Sequence, residues 1–259
     1  MAEAIAEAGF ELHVWARRPA SIDALSDVAR INHDSVADLA AQTDMVSLCL
    51  PTDEDVLRIA REELLGAMRP SSVLVNHGTG LPRNAARLAD MASVHGVETL
   101  DAPVSGGRPA ADERRLTTLV GGDEVTLDRC LPVFESFSAH VVHSGATGSG
   151  QLAKLFNNGL LMINQAAIAD MIELAAQAGM DPVKLVEALK LGSATSAALT
   201  LLNSMITPDT VQHLSSVEAL DMELFGQAMD DAGVSAGEAT ARGLSGARRL
   251  PDVIARLNS

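Results

Sequence analysis

The sequence predicts an α/β Rossmann-like domain followed by an all-α domain. Two observations predict it. Up to about residue 146, short apolar runs of strand length alternate with stretches of helical spacing, the signature of βαβ units. Beyond that point the apolar residues recur only at helical spacing. A chain of 259 residues has room for two modest domains. The boundaries read as 1–146 for the α/β domain and 147–259 for the helical domain.

In order along the chain, MAEAIAEAG reads as a helix closed by Gly9, and FELHVW (10–15) as a strand. SIDALSDVAR (21–30) has helical spacing and leads to a short element near Arg30–Asn32. SVADLAAQ is a helix before DMVSLCLP, an apolar strand closed by Pro51. DEDVLRIAREELLGAM is a helix, SSVLVNHGT a strand, LPRNAARLADMASVHG a helix closed by Gly96, and VETLDAPVS a strand. LTTLVGG and AHVVHSG complete the series. Helices between strands imply parallel pairing, and the apolar strands suit a sheet covered on both faces. The second half opens on one long helical run without internal Pro, ending at Gly179. DPVKLVEALKLG comes next, with Asp181 as cap and Pro182 in the first turn. SATSAALTLLNSM, SSVEALDMELFGQAMDDAG and EATARGLSGARRLPDVIARL also have helical spacing; 207–216 is the least regular stretch.

Composition narrows the function. The chain carries a net charge of -15 and is 2% aromatic, with no Tyr and one Trp. Such a surface repels phosphate backbones and anionic lipid and offers no stacking platform, so neither nucleic acid nor membrane is an expected partner. Cys49 and Cys130 fit no CxxC or zinc spacing and read as two buried thiols in a reducing cytosol. No uninterrupted apolar run has the length of a membrane span, and Glu3 and Glu7 stand where a signal peptide is basic, so the expected location is cytoplasmic. The seven histidines show no HxH or HExxH spacing, so no metal is expected, and no GxSxG is present.

Three stretches carry chemistry. In HVWARRP, Arg17 and Arg18 come after a strand, at the position that faces the adenosine ribose in doubly wound folds. An arginine there suits the 2′-phosphate of NADP, whereas NAD calls for a carboxylate; a solvated arginine pair is the plain alternative. In LDAPVSGGRP, a strand runs into Ser105, Gly106 and Gly107. Paired glycines beside a hydroxyl expose backbone N–H groups that hold a carboxylate, though an ordinary tight turn has the same residues. In GSGQLAKLFNNGLL, Lys154 is one of three lysines in the chain and sits among Leu152, Leu155 and Phe156. Asn158 lies one turn further on the same face, with Asn157 beside it and Gln165 continuing it. A lysine among apolar groups is a proton-transfer candidate and the asparagine a substrate-orienting one; a lysine extending its stem over apolar surface is the alternative.

Taken together, AEAGFELHVWARRP, SLCLP, DAPVSGG, GSGQLAKLFNN and GSATSAAL resemble the β-hydroxyacid dehydrogenase family, of the 3-hydroxyisobutyrate dehydrogenase and tartronate semialdehyde reductase type, related to 6-phosphogluconate dehydrogenase. DAPVSGG resembles the family's substrate-binding signature and GSGQLAKLFNN its GxGxxxKxxNN catalytic signature. The resemblance implies hydride transfer between a nicotinamide and a small 3-hydroxy acid, with NADP preferred and NAD possible, in a homodimer or homotetramer joined through the helical domains. It implies that Lys154 exchanges the proton of the substrate hydroxyl and Asn158 positions the substrate. Ser105, Gly106 and Gly107 would hold the carboxylate, Arg17 and Arg18 the cofactor phosphate, and Leu50, Pro51 and Thr79 would line the cofactor cleft.

The chain departs from the family in four places. Asn76-His77-Gly78-Thr79 stands where the family usually has Asp-x-Ser-Thr. RPAADERRL comes after SGG, which places Arg108, with His77, among the candidates for substrate specificity. Leu220-Asp221 stands where Lys-Asp is common. Finally, Met1 aligns inside the family's first helix, so the resemblance implies an N-terminally truncated chain, short of about a dozen residues that hold the first strand and GxGxxG. Two alternatives stay open: a catalytically impaired remnant that dimerises but binds cofactor poorly, and an imine-reductase-like relative, in which the lysine is generally replaced.

Overall fold

The structure is a computed structural model that describes residues 1–18, 20–25 and 27–259. Pro19, at the end of ARRP, and Ser26, inside the expected helix 21–30, lie outside the described residues. The chain forms two compact units, Met1–Lys154 and Leu155–Ser259.

In the first unit, α1 (Ala2–Glu7) leads to β1 (His13–Val14), α2 (Ala20–Asp23) and β2 (Ile31–Asn32). β1 and β2 pair in parallel as a two-stranded sheet of their own. Next come α3 (Val36–Gln42), β3 (Met45–Leu48), α4 (Asp53–Ile59, running on as a π-helical turn to Leu64), β4 (Val73–Asn76), α5 (Pro82–Ser93) and β5 (Glu98–Asp101). β3, β4 and β5 pair in parallel, as the alternation predicts. The chain then forms β6 (Val104–Ser105), α6 (Gly107–Asp112), β7 (Leu116–Gly121), α7 (Glu124–Glu135) and β8 (Ser138–Gly145).

Parallel pairing does not hold throughout. β7 runs antiparallel to β5 and β6, and β8 runs parallel to β7. The reason is length: α6 has six residues, too few for a crossover, so the chain doubles back. Several expected elements are shorter than their sequence patterns: the helix over 193–205 is reduced to Ala197–Leu201, and the strand over 97–105 is divided into Glu98–Asp101 and Val104–Ser105. The strand over 10–15 is reduced to His13–Val14, and the helix over 21–30 to Ala20–Asp23.

The β4 side chains alternate between the two faces, as a pleated strand requires. Leu74 packs with Val36, Ala40, Val56, Leu57, Leu88 and Ala92, from α3, α4 and α5. Val73 and Val75 pack on the other side with Ala4, Leu127, Cys130, Phe134 and Phe137, from α1 and the α7 region. Both faces are therefore covered, at roughly 1.5–3 kcal/mol for each fully buried large aliphatic side chain. Cys130 is buried as expected, but Cys49 is exposed beyond the end of β3, which corrects the reading of two buried thiols.

The second unit is helical: the rest of α8 (Ser149–Gln177), then α9 (Pro182–Leu191), α10 (Ala197–Leu201), α11 (Val211–Asp231) and α12 (Gly237–Leu257). Asp181 caps α9 as predicted, accepting from the N–H groups of Val183 and Lys184 at 2.8 and 3.4 Å. The core of this unit joins Ile168 and Ile172 of α8 to Val186, Leu199, Leu250 and Ile254. By length and composition alone α8 also suffices to cross a membrane, although its apolar residues form no uninterrupted run; about a third of its most apolar window is buried in the fold.

At the junction of β5, β7 and α8 the backbones approach too closely for side chains. A Cβ on Gly150 would lie 2.6 Å from the Leu119 carbonyl oxygen and 2.7 Å from the Gly121 nitrogen. Gly150→Ala is therefore expected to destabilise the protein by about 1–3 kcal/mol through overpacking, read as a lowered urea midpoint.

Candidate functional site

In parallel α/β sheets ligands bind beyond the carboxyl ends of the strands. The first unit brings the predicted cofactor residues to such ends. Leu50 and Pro51 come after β3, Thr79 after β4, and Arg17 after β1. Arg17 Nη1 lies 3.4 Å from Asp55 Oδ1 of α4, which ties the end of β1 to the helix that starts after Leu50-Pro51-Thr52. The Arg17 side chain is 64% exposed, so the pair is weak and open to competition by a bound phosphate. Arg18 is exposed as well.

Ser105 ends β6, where it is in register with Thr117 of β7. Gly106 and Gly107 come next with φ of 125° and 64°, a region that L side chains avoid. Both glycines are exposed. Successive positive-φ glycines keep this exposed turn free of side-chain bulk. Arg108 is also exposed and pairs with Asp112 at 3.5 Å.

The two signature stretches are joined by Asp101. Its carboxylate is 3% exposed and accepts the N–H groups of Gly148 at 2.7 Å and Gln151 at 2.8 Å. Asp101 thus caps the first turn of α8 from the end of β5. Burial raises its pKa, and these N–H groups oppose the rise. Gln151 extends the clamp. Its Oε1 accepts from Gly80 N–H and its Nε2 donates to the Gly78 carbonyl, both at 2.8 Å, so it grips the loop on each side of Thr79. Asp53 holds the same loop from α4, accepting from Leu81 N–H at 2.8 Å and Asn84 Nδ2 at 2.7 Å. Lys154 lies three residues beyond Gln151 on this fixed helix and is 8% exposed.

Asn158 stands one turn further along α8, in the second unit, and is 7% exposed. Its Nδ2 donates to Asp221 Oδ2 at 2.7 Å, and its Oδ1 accepts from Asn157 Nδ2 at 3.0 Å. Leu220, at the position of the family's lysine, is 48% exposed.

Sequence reasoning missed Asp101, Gln151 and Asp53 in the first unit and, in the second, Asp221 as the partner of Asn158. Asp101 and Gln151 lie inside the signature stretches, and their burial is what marks them. His77 is 5% exposed, with Nδ1 2.8 Å from the Ala102 carbonyl oxygen and its ring edge-on to Phe134 and Phe137. It packs as a core histidine.

Comparison with known proteins bears on what such a site does. The family model described as the NAD binding domain of 6-phosphogluconate dehydrogenase matches residues 1–145. A second, described as the NAD-binding of NADP-dependent 3-hydroxyisobutyrate dehydrogenase, matches residues 148–245. A probable 3-hydroxyisobutyrate dehydrogenase of Mycobacterium bovis is 38% identical over 60% of this chain and 52% of its own length, so the chain spans about half the length of that curated relative. The 3-hydroxyisobutyrate dehydrogenase of Pseudomonas aeruginosa is 32% identical over 78% of this chain and 69% of its own. Among solved structures, the 3-hydroxyisobutyrate dehydrogenase of Mycobacterium tuberculosis with L-serine superposes with a TM-score of 0.87 at 26% identity, covering 100% of this chain and 94% of that one.

His77 gives this region a pH signature. Burial lowers its pKa to about 4, from an ordinary 6.5, against the raising effect of its bond to Ala102. The neutral ring's contribution is complete above about pH 6.5 and is lost as pH falls through about 4, a span of about 3 kcal/mol. His77→Gln keeps an N–H donor and does not titrate. Between about pH 6.5 and 4.5 the wild-type protein is expected to lose more stability than this variant in urea unfolding; equal losses would show that the histidine is not held neutral.

Proposed function

The chain belongs to the β-hydroxyacid dehydrogenase family, and we propose that it is an NAD(P)-dependent 3-hydroxyacid dehydrogenase, moving a hydride between a small 3-hydroxy acid and a nicotinamide. The observation that carries the reading is the double clamp on the start of α8: Asp101 fixes the helix turn and Gln151 grips both sides of Thr79, just before buried Lys154.

The residues present fit the two ends of a nicotinamide dinucleotide. Arg17 offers an exposed guanidinium at a strand end whose own residues include no carboxylate, which favours NADP over NAD, with Arg18 beside it. Leu50 and Pro51 line the apolar side, and Thr79 presents a half-buried hydroxyl between Gly78 and Gly80. When bound, the nicotinamide supplies the hydride acceptor or donor.

The chain's own groups do the rest. Gly106 and Gly107 N–H, with the Ser105 hydroxyl, hold the substrate carboxylate. The Lys154 amine takes the proton from the substrate hydroxyl as the carbonyl forms and returns it in the reverse direction. Asn158, held by Asp221, orients the substrate. Oxidation of a 3-hydroxy acid by hydride loss leaves a semialdehyde or 3-keto acid, so charge and protons balance.

A homo-oligomer formed through the helical unit is part of the same reading. Phe156, Leu160, Met171 and Leu174 lie on α8 at a spacing that repeats one helix face, and they are 51%, 61%, 48% and 55% exposed. An apolar stripe of this kind suits burial against a second copy. The companion expectation is a cytoplasmic protein. An impaired remnant that dimerises but binds cofactor poorly is the second reading, favoured by Leu220 beside Asp221.

Two experiments test these readings. NADPH should raise the melting temperature of the 259-residue chain more than NADH does, and Lys154→Ala should keep that shift while turnover of short 3-hydroxy acids falls by at least about 100-fold. Turnover retained in Lys154→Ala would remove the lysine's role, and no shift at millimolar NADPH would favour the remnant. In sedimentation, Leu160→Glu with Leu174→Glu should turn a dimer or tetramer into monomers; a monomeric wild type rules the oligomer out.

A further inference from the structure

Within the helical unit, two buried side chains meet with their hydrogen bonding half completed. Gln165 of α8 is 3% exposed and Glu218 of α11 is 7% exposed. Gln165 Nε2 donates to Glu218 Oε1 at 3.1 Å. The other oxygen of each group, Gln165 Oε1 and Glu218 Oε2, is buried and has no partner.

An ionised glutamate cannot relieve this. A carboxylate only accepts, so its second oxygen and the amide oxygen are two acceptors without a donor. Each unmade bond of a buried polar group costs about 1–3 kcal/mol, and more when the group is charged. A proton on Glu218 Oε2 resolves both atoms at once. The acid then donates to Gln165 Oε1 while its other oxygen accepts from Gln165 Nε2. Acid and amide close a ring of two hydrogen bonds, one of which the structure already has.

We propose that Glu218 is held as a neutral carboxylic acid paired with Gln165, and that this proton makes the packing of α8 on α11 sensitive to pH near neutrality.

The surroundings agree. From α8, the group that meets Glu218 is the neutral Gln165. Asp170 and Glu173 of the same helix are engaged by Arg242 and Arg249 of α12, which leaves those cations committed elsewhere. On its own helix Glu218 has Asp221 three residues on, whose charge opposes a second carboxylate. Burial first, and Asp221 after it, push the Glu218 carboxyl up to about 7 against the lowering effect of the Gln165 bond. A raised carboxyl pKa means that the pair's stabilisation is complete below about pH 4.5 and is lost as pH rises through about 7. Asp221 is also the partner of Asn158, so the proton sits one helical turn from the group that orients that asparagine.

The pair does not depend on the dehydrogenase reading, and its test needs no substrate. In the full chain, carbon-13 detection of the glutamate carboxyls should show Glu218 titrating near pH 7, with the Gln165 side-chain amide resonances moving at the same midpoint. Glu218→Gln supplies a donor and an acceptor in the same places without a titration. As pH rises from about 5 to 8.5, the wild-type melting temperature should fall by about 5 °C or more relative to that variant. A Glu218 midpoint below about pH 5, or parallel melting curves across the range, would overturn the proposal. If Glu218→Gln fails to fold, the carboxyl titration of the wild type decides alone.

Discussion

The carboxylate of Asp101, buried at the end of β5, receives the Gly148 and Gln151 N–H groups of the α8 first turn. These bonds fix the start of a 29-residue helix that begins in the first unit and continues into the second. A carboxylate at a helix N-terminus gains from charge-assisted bonds and from the helix dipole, together a few kcal/mol. It must also give up its hydration, which is why it is placed where every oxygen is used. The close approach of Gly150 and Gly121 belongs to the same arrangement, since a side chain on either would push the helix off the carboxylate. The next residues of the helix inherit this placement: Gln151 reaches the Thr79 loop, and Lys154 comes three residues later.

Polar groups are spent unevenly over the two units. In the first, buried Asp101, Gln151 and Asn76 satisfy backbone groups of loops that have no sheet partners, Asn76 Oδ1 accepting from Gly78 N–H at 3.0 Å. Loops at strand ends carry unpaired N–H and C=O groups, and burying them requires side chains of this kind. In the second unit buried polar residues meet other side chains, Asn158 the half-buried Asp221 and Gln165 the buried Glu218. Helices satisfy their own backbones, so these pairs are not needed to hold up the fold. Apolar residues of the same size would pack there at no hydrogen-bonding cost.

Much of this is legible in the sequence, and the limits have physical causes. The parallel run β3–β4–β5 is readable because each strand is a continuous apolar segment between amphipathic helices. The antiparallel return of β7 is not, because it hangs on the length of the α6 connection and not on any residue pattern. Ser105-Gly106-Gly107 can be picked out because consecutive glycines advertise unusual backbone angles, and both do have positive φ. Lys154 stands out by rarity and by its apolar neighbours. Asp101 and Gln151 do not, because their importance lies in what they bind 47 to 73 residues away. The packing of His77 is hidden for a related reason: its burial depends on two phenylalanine neighbours from α7 and beyond, far away in sequence.

His77 and Glu218 place opposite demands on pH. His77 is neutral because its charged form is excluded from the core, and it is destabilising once acid forces a proton on it. Glu218 is also best neutral, but neutrality for a carboxyl means keeping a proton, so it is destabilising once base removes it. One group limits the first unit from the acid side and the other limits the second from the basic side. The range in which both are uncharged lies between their shifted values, from about 4 to about 7. The two shifts have opposite signs in pH: the His77 contribution declines towards acid and the Glu218 contribution towards base.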